Sequence, residues 1–141
     1  MPRSYWLVKS EPSTYAWSQL VRDGRTIWDG VRNALARQHL AAMRAGDLVL
    51  YYHSNVGKEV VGIARVSGEA HPDPTADDPK WLAVDLEPVR ALAAPVGLAA
   101  IKSDPRFEGF ALIRQSRLSV MPVSRPHFER ILELGRTKAP R

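Results

Sequence analysis

DLVLYYHSNVGKEVVGIARVSGE, residues 47–69, decides the architecture. Residues 47–53 and 59–69 are rich in Val, Ile, Leu and Tyr over strand lengths, and Asn-Val-Gly-Lys at 55–58 is turn text, so the stretch predicts two strands joined by a turn. On the first of them Leu48, Leu50 and Tyr52 face one way, while Val49, Tyr51 and His53 face the other.

Working outward, residues 32–44 predict the clearest helix of the chain. Ala36, Leu40 and Met43 share a face, Val31 and Leu35 lie beside them, and Gly46 can end it. Residues 4–8 read as a short strand closed by Pro12. A helix capped by Ser13 is expected over 14–21 and stops at Asp23-Gly24, and 26–28 is a short extended piece. Beyond the hairpin, HPDPTADDPK is a loop, read as solvated and acidic rather than metal-binding. A strand over 81–92 follows, with Pro88 marking a bulge or an edge. A short helix falls within 95–103, weakly helical text over 107–115, a last strand over 117–123, and a helix capped by Ser124 that carries Phe128, Ile131, Leu132 and Leu134. Trp6 and Trp81, inside strand patterns, are expected in the core. Strands with helices inserted early and late give a single α+β domain around a small β-barrel. It spans residues 1–135, and 136–141 forms a basic tail without structure.

Composition narrows the class. In 141 residues there is room for one domain with a proper core, and 45% hydrophobic against 25% charged residues is ordinary for a globular protein. No run approaches the roughly 18 apolar residues of a membrane span, and the N-terminus lacks a signal peptide's apolar segment, so a cytoplasmic protein is expected. The absence of cysteine excludes disulfides, thiolate nucleophiles and zinc–sulfur sites. Twenty Lys and Arg against 15 Asp and Glu leave a net charge of +5, which serves equally for polyanion binding or plain solubility. All but Arg136, Lys138 and Arg141 of the basic residues lie in the body, so a basic surface is compatible with the sequence and a basic-tail binder is not favoured.

Chemistry concentrates in three polar–aromatic strings: YWLVKSEP (5–12), WDGVRN (28–33) and YYHSN (51–55). Lys9, Ser10 and Glu11 follow an apolar strand and are fixed by Pro12; they can match a heterocycle's edge, or form an exposed strand end with a local ion pair. Trp28, followed by Asp-Gly, can present its indole at a rim and stack on a base. Val31, Arg32 and Asn33 open the long helix, whose first amides lack partners; Asn33 can read a base, or Asp29 can cap the helix and leave Asn33 as local structure. His53 and Ser54 leave a strand beside Tyr52, and a lone histidine is more often structural than catalytic. In RQSRLSV, Arg117 and Ser119 flank a strand, where the arginine can hold a phosphate or close an internal ion pair. No phosphate loop, nucleophile elbow, dinucleotide fingerprint or metal-ligand spacing occurs, and no cofactor is implied.

The strings YWLVKSEP, WDGVRNALARQHLAAMRAGDLVLYYHSN, VVGIARV, HPDPTADDPKW and RQSRLSVMPVS, in that order, closely resemble the EVE domain of the PUA-like superfamily. The one departure noted, Gln38-His39, falls on a helix body. The resemblance implies a small, strongly bent mixed or antiparallel β-barrel surrounded by helices, and kinship with YTH domains, which hold a methylated adenine of RNA in an aromatic cage. By that analogy Trp28 is a cage wall, Lys9 and Ser10 lie at the floor, and Asn33, Tyr52, His53 and Ser54 surround it. The expected function is a non-enzymatic, monomeric module that binds a modified base, a modified cytosine or a methylated adenine, in DNA or RNA. Alternatives are a small-molecule or nucleotide sensor, and an enzyme using Glu11 or His53 as general base with Lys9 as electrostatic support.

Overall fold

The computed structural model describes residues 3–140. Among the described residues six strands form one mixed sheet: β1 (Tyr5–Ser10), β2 (Thr26–Trp28), β3 (Leu48–His53), β4 (Glu59–Pro72), β5 (Leu82–Gly97) and β6 (Val120–Val123), in the order β2-β5-β4-β3-β1-β6. Around it lie α1 (Pro12–Tyr15), α2 (Trp17–Asp23), α3 (Ala34–Ala42), α4 (Leu98–Ser103), α5 (Ala111–Arg114) and α6 (Arg125–Leu134), with a 3₁₀ turn at Pro105–Phe107. The α+β class stands, but the sheet does not close: β2 and β6 are edges, and the expected barrel is corrected to an open sheet.

The hairpin read from residues 47–69 forms as expected. β3 and β4 pair antiparallel from Leu48↔Arg65 to His53↔Glu59. The turn requires positive φ at Asn55 (64°), Gly57 (89°) and Lys58 (49°). Pro88 also sits where the ladder slips: Ile63 and Ala64 face Arg90 and Pro88, so β5 carries an extra residue there.

The pairing that local patterns do not carry is β1 with β3, which run parallel from Tyr5↔Leu48 to Ser10↔His53. Buried Asp47 fixes the start of this pair. Its carboxylate accepts from the Trp6 indole N–H (3.0 Å), the Ser4 amide (3.0 Å) and the Arg44 amide (2.9 Å), so Trp6 is the expected core residue. With their starts pinned together, both strands deliver their carboxyl ends side by side.

The helices follow sequence logic with displaced ends. Ser13 caps nothing; Pro12 opens α1, and Ala16 in extended conformation separates it from α2. There the Gln19 side chain accepts the Ala16 amide at 2.7 Å, and Gly24 (φ 76°) ends α2. α3 starts at the cap Asn33, whose Oδ1 accepts the Ala36 amide at 2.9 Å, and buries Ala36 and Leu40 while leaving Leu35 exposed. Ser124 caps α6 as read, and Phe128, Ile131 and Leu132 are buried. Burying side chains of this size contributes roughly 1.5–3 kcal/mol each. The expected tail is placed against the body over its described part: Thr137 Oγ1 accepts the Ala93 amide (2.9 Å), and Arg90 donates to the Lys138 carbonyl (2.7 Å). Arg141 lies outside the described residues. Among the described residues no helix is long and apolar enough to cross a membrane.

Candidate functional site

Parallel strands ending together leave backbone groups pointing into one crevice. Beyond Ser10↔His53 the ladder continues with the Ser54 amide donating to the Ser10 carbonyl at 2.9 Å, which sets Ser54 beside Ser10. On its other side β1 is laced to residues 116–119. The Lys9 amide donates to the Ser119 carbonyl (2.9 Å), and the Lys9 ammonium to the Ser116 carbonyl (2.8 Å). These contacts assemble one side of a cleft of about 790 Å³, a volume within the range of small-ligand sites.

β2 and the loop after it supply the other side. Trp28 is held in the ladder opposite Val84, and its indole meets the Tyr51 ring edge-on (5.5 Å, 82°). Trp28 is largely buried, with 8% exposed, and is among the residues that line the cleft. Tyr51 is anchored in turn by donating its hydroxyl to the Tyr15 carbonyl at 2.5 Å, and burial drives its pKa upward. Gly30 adopts φ 79°, a conformation costly for a side chain with Cβ.

Asp73 organises this loop. Its carboxylate is buried and accepts from the Gly30 amide (2.8 Å), the Arg32 guanidinium (2.8 Å), the Thr75 amide (2.7 Å) and the Thr75 hydroxyl (2.6 Å). Burial alone would raise its pKa; the hydrogen bonds from Thr75, Arg32 and Gly30 outweigh it and hold the carboxyl well below the usual carboxylate range. The loop is otherwise largely exposed, as its reading as a solvated segment expects; Asp73 alone is buried, where it braces the turn.

Nine candidates converge on the cleft: Lys9, Ser10, Glu11, Trp28, Val31, Arg32, Ser54, Arg117 and Ser119. Burial lowers the Lys9 pKa, and its ammonium also lies 5.9 Å from the Tyr52 ring centre. The Glu11 carboxylate takes a hydrogen bond from the Asn55 amide group. Arg117 is exposed and has no ion pair among the described residues, so the internal pair considered for it does not form.

Three candidates do not line it. Tyr52 is buried beneath Lys9, on the Leu48–Leu50 face its alternation gave it. His53 accepts the Trp17 amide on Nε2 (3.1 Å) and packs against Tyr51; burial, partly opposed by Glu59, lowers its pKa. Asn33 caps α3 and borders a smaller adjoining cavity of about 330 Å³, which shares Ser116 and Arg117 with the cleft. Asp29, the alternative cap, instead lines the cleft together with Thr14, Tyr15, Thr26, Ile27, Gly30 and Ser116, which the sequence reading missed. Asp29 and Gly30 lie within WDGVRN itself, and that adjacency was the available signal.

Comparison with known proteins gives a consistent set of relatives. A family described as the EVE domain matches residues 4–134. Human thymocyte nuclear protein 1 is 31% identical over 165 residues, covering 93% of this chain and 73% of the relative. Among solved structures, Rpa0253 of Rhodopseudomonas palustris is 48% identical with a TM-score of 0.89, over 94% of this chain and 92% of that one. The human THYN1 protein in complex with 5-methylcytosine containing DNA is 30% identical with a TM-score of 0.88, over 96% and 99%. The YTH domain of Zygosaccharomyces rouxii MRB1, solved with N6-methyladenosine RNA, is 15% identical with a TM-score of 0.60 over 98% and 89%, a likeness of fold.

Proposed function

Because this chain belongs to the EVE domain family, we propose that it is a non-enzymatic module that takes a modified base of DNA or RNA into the cleft beside Trp28. On the same membership we assign the open mixed sheet to the PUA-like class. The observation that carries the functional reading is Trp28, its indole fixed edge-on to Tyr51, lining a cleft where Lys9, Ser10 and Arg32 meet. A flat heterocycle stacked there gains on the order of 1–3 kcal/mol, enough to offset much of the cost of unstacking a base from its strand. The complex of human THYN1 with 5-methylcytosine containing DNA supports a modified cytosine as the first ligand to test.

A buried methyl contributes about 0.8 kcal/mol, roughly fourfold in affinity. Sharper selection needs a polar group left unpaired by the wrong base. Lys9, Ser10, Ser54 and Ser119 are the groups we assign to the base edge, and Arg32 and Arg117 to phosphates. Both general bases considered for an enzyme are engaged: His53 Nε2 accepts the Trp17 amide, and Glu11 accepts from Asn55. That supports binding without turnover.

The test is titration of single strands and duplexes carrying 5-methylcytosine, N6-methyladenine or neither, with the native chain, Trp28→Phe and Trp28→Ala. Expected is a preference for one modified base, kept in part by phenylalanine and reduced about tenfold or more by alanine. Equal affinity for every base, together with no effect of Trp28→Ala in a folded variant, sinks the reading.

A further inference from the structure

Trp81 was expected inside a strand and instead stands just before β5, half-buried at the surface. Three cations surround its ring: Lys80 Nζ at 5.1 Å from the centroid, and the guanidinium carbons of Arg37 and Arg32 at 5.4 and 5.8 Å. As a device for stability this is poor. An exposed cation–π contact contributes little, and three like charges gathered on one ring repel one another. Arg32 is compensated by Asp73 (2.8 Å), and Lys80 only loosely by exposed Asp78 (3.8 Å). Arg37 has no carboxylate among the described residues. The cluster therefore leaves positive charge that an anion from outside would neutralise, next to a half-buried aromatic ring.

The cluster is also joined to the cleft through one side chain. Arg32 lines the cleft and lies over Trp81 at the same time. A positive surface carrying an aromatic side chain is how proteins hold successive nucleotides of a single strand, base on ring and phosphate on cation.

We infer that Trp81 is a second stacking ledge, which receives a base flanking the one in the cleft, with Arg37 and Lys80 on the adjoining phosphates. This rests on the cleft reading above. It goes beyond it by making the ligand a strand of at least two nucleotides, locally unpaired on the side of Trp81.

The experiment compares 5-methyldeoxycytidine monophosphate with trinucleotides that carry 5-methylcytosine at the centre. Native protein should bind the trinucleotide more tightly than the mononucleotide. Trp81→Ala should remove that gain, about fivefold to tenfold or more, leaving mononucleotide affinity unchanged, and Trp81→Phe should restore most of it. Arg37→Ala should lower the salt slope by about one. A strand with 5-iodouracil beside the methylcytosine should photocrosslink to Trp81. If Trp81→Ala binds the trinucleotide as the native protein does while Trp28→Ala does not, the ledge is wrong and the cleft stands. If Trp28→Ala changes nothing, both fall. Loss of melting temperature in Trp81→Ala with unchanged trinucleotide affinity assigns the cluster to folding and also overturns the ledge.

Discussion

The Arg32 guanidinium donates to the buried Asp73 carboxylate at 2.8 Å across 41 residues of chain. This bond joins the loop after β2 to the loop between β4 and β5, and the same carboxylate holds the Gly30 amide. Arg32 Nη1 donates to Asp73 and to the Val31 carbonyl (3.0 Å) and Nη2 to the Thr75 hydroxyl (3.3 Å), while 40% of the side chain stays exposed and the residue lines the cleft. Such an arrangement orients a cation in advance of a ligand, which reduces the ordering cost of binding.

Asp73→Asn should therefore lower stability by about 1–3 kcal/mol, since it weakens acceptance of four hydrogen bonds at a buried side chain. It should also weaken binding of the modified strand, because Arg32 loses its anchor. The depressed Asp73 pKa sets the sign with pH: its contribution is complete above the ordinary carboxylate range and drains away as pH falls toward its lowered value. Denaturation midpoints of the native and Asn forms should converge at strongly acidic pH; a constant gap down to that range counts against the brace.

Gly62 lies beneath the indole of Trp17, where a Cβ would sit 2.5 Å from Cζ2. Trp17 is a rigid ring packed on Tyr51 (5.5 Å), so it cannot swing clear without disturbing the support of Trp28. Gly62→Ala is expected to cost about 1–3 kcal/mol by overpacking, read as a lowered denaturant midpoint. An unchanged midpoint shows that the ring has room to shift.

His53 is lowered below its ordinary pKa, chiefly by burial. In the unfolded chain it takes up a proton near pH 6.5, whereas the folded form resists doing so. Its contribution to stability is complete above that pH and declines as pH falls from there to the lowered folded value. His53→Gln, which retains an acceptor for the Trp17 amide, should flatten the loss of stability in the window that opens as pH falls below about 6.5. An unaltered slope in that window would show that protonation is absorbed elsewhere.

Arg117 lines the cleft without an ion pair of its own among the described residues. Arg117→Ala should leave stability within about 0.5 kcal/mol of native. It should weaken binding of modified and unmodified strands alike and reduce the salt slope by about one. Selective loss for the modified strand would place Arg117 on the base instead of the backbone.

How far the sequence could be read depended on the range of the interaction. The β3–β4 hairpin, the slip at Pro88, the cap Ser124 and the burial of Ala36, Leu40 and Met43 were legible, because turn chemistry and periodicity are local. The parallel pairing of β1 with β3 was not, since nothing local in Tyr5–Ser10 names a partner beyond residue 47. Asp73 was misread because its loop is acidic and proline-rich, and only tertiary packing shows that one of its carboxylates is buried. Tyr52 was drawn toward the site by its neighbours in YYHSN, although alternation had already set it with Leu48 and Leu50. Trp81 followed the strand pattern up to its last step and stopped one residue outside β5.

The parallel pair of β1 and β3 has a further consequence. Parallel neighbours cannot be joined by a tight turn and need a long crossover. Here the crossover, residues 11–47, contains α1, α2, β2 and α3, and with them Trp28, Gly30 and Arg32. The connection that the topology demands is thus the one that walls the cleft. β2 and residues 46–47 tie this connection into the sheet, while Gly30 and Arg32 between them wall the cleft without entering a strand ladder.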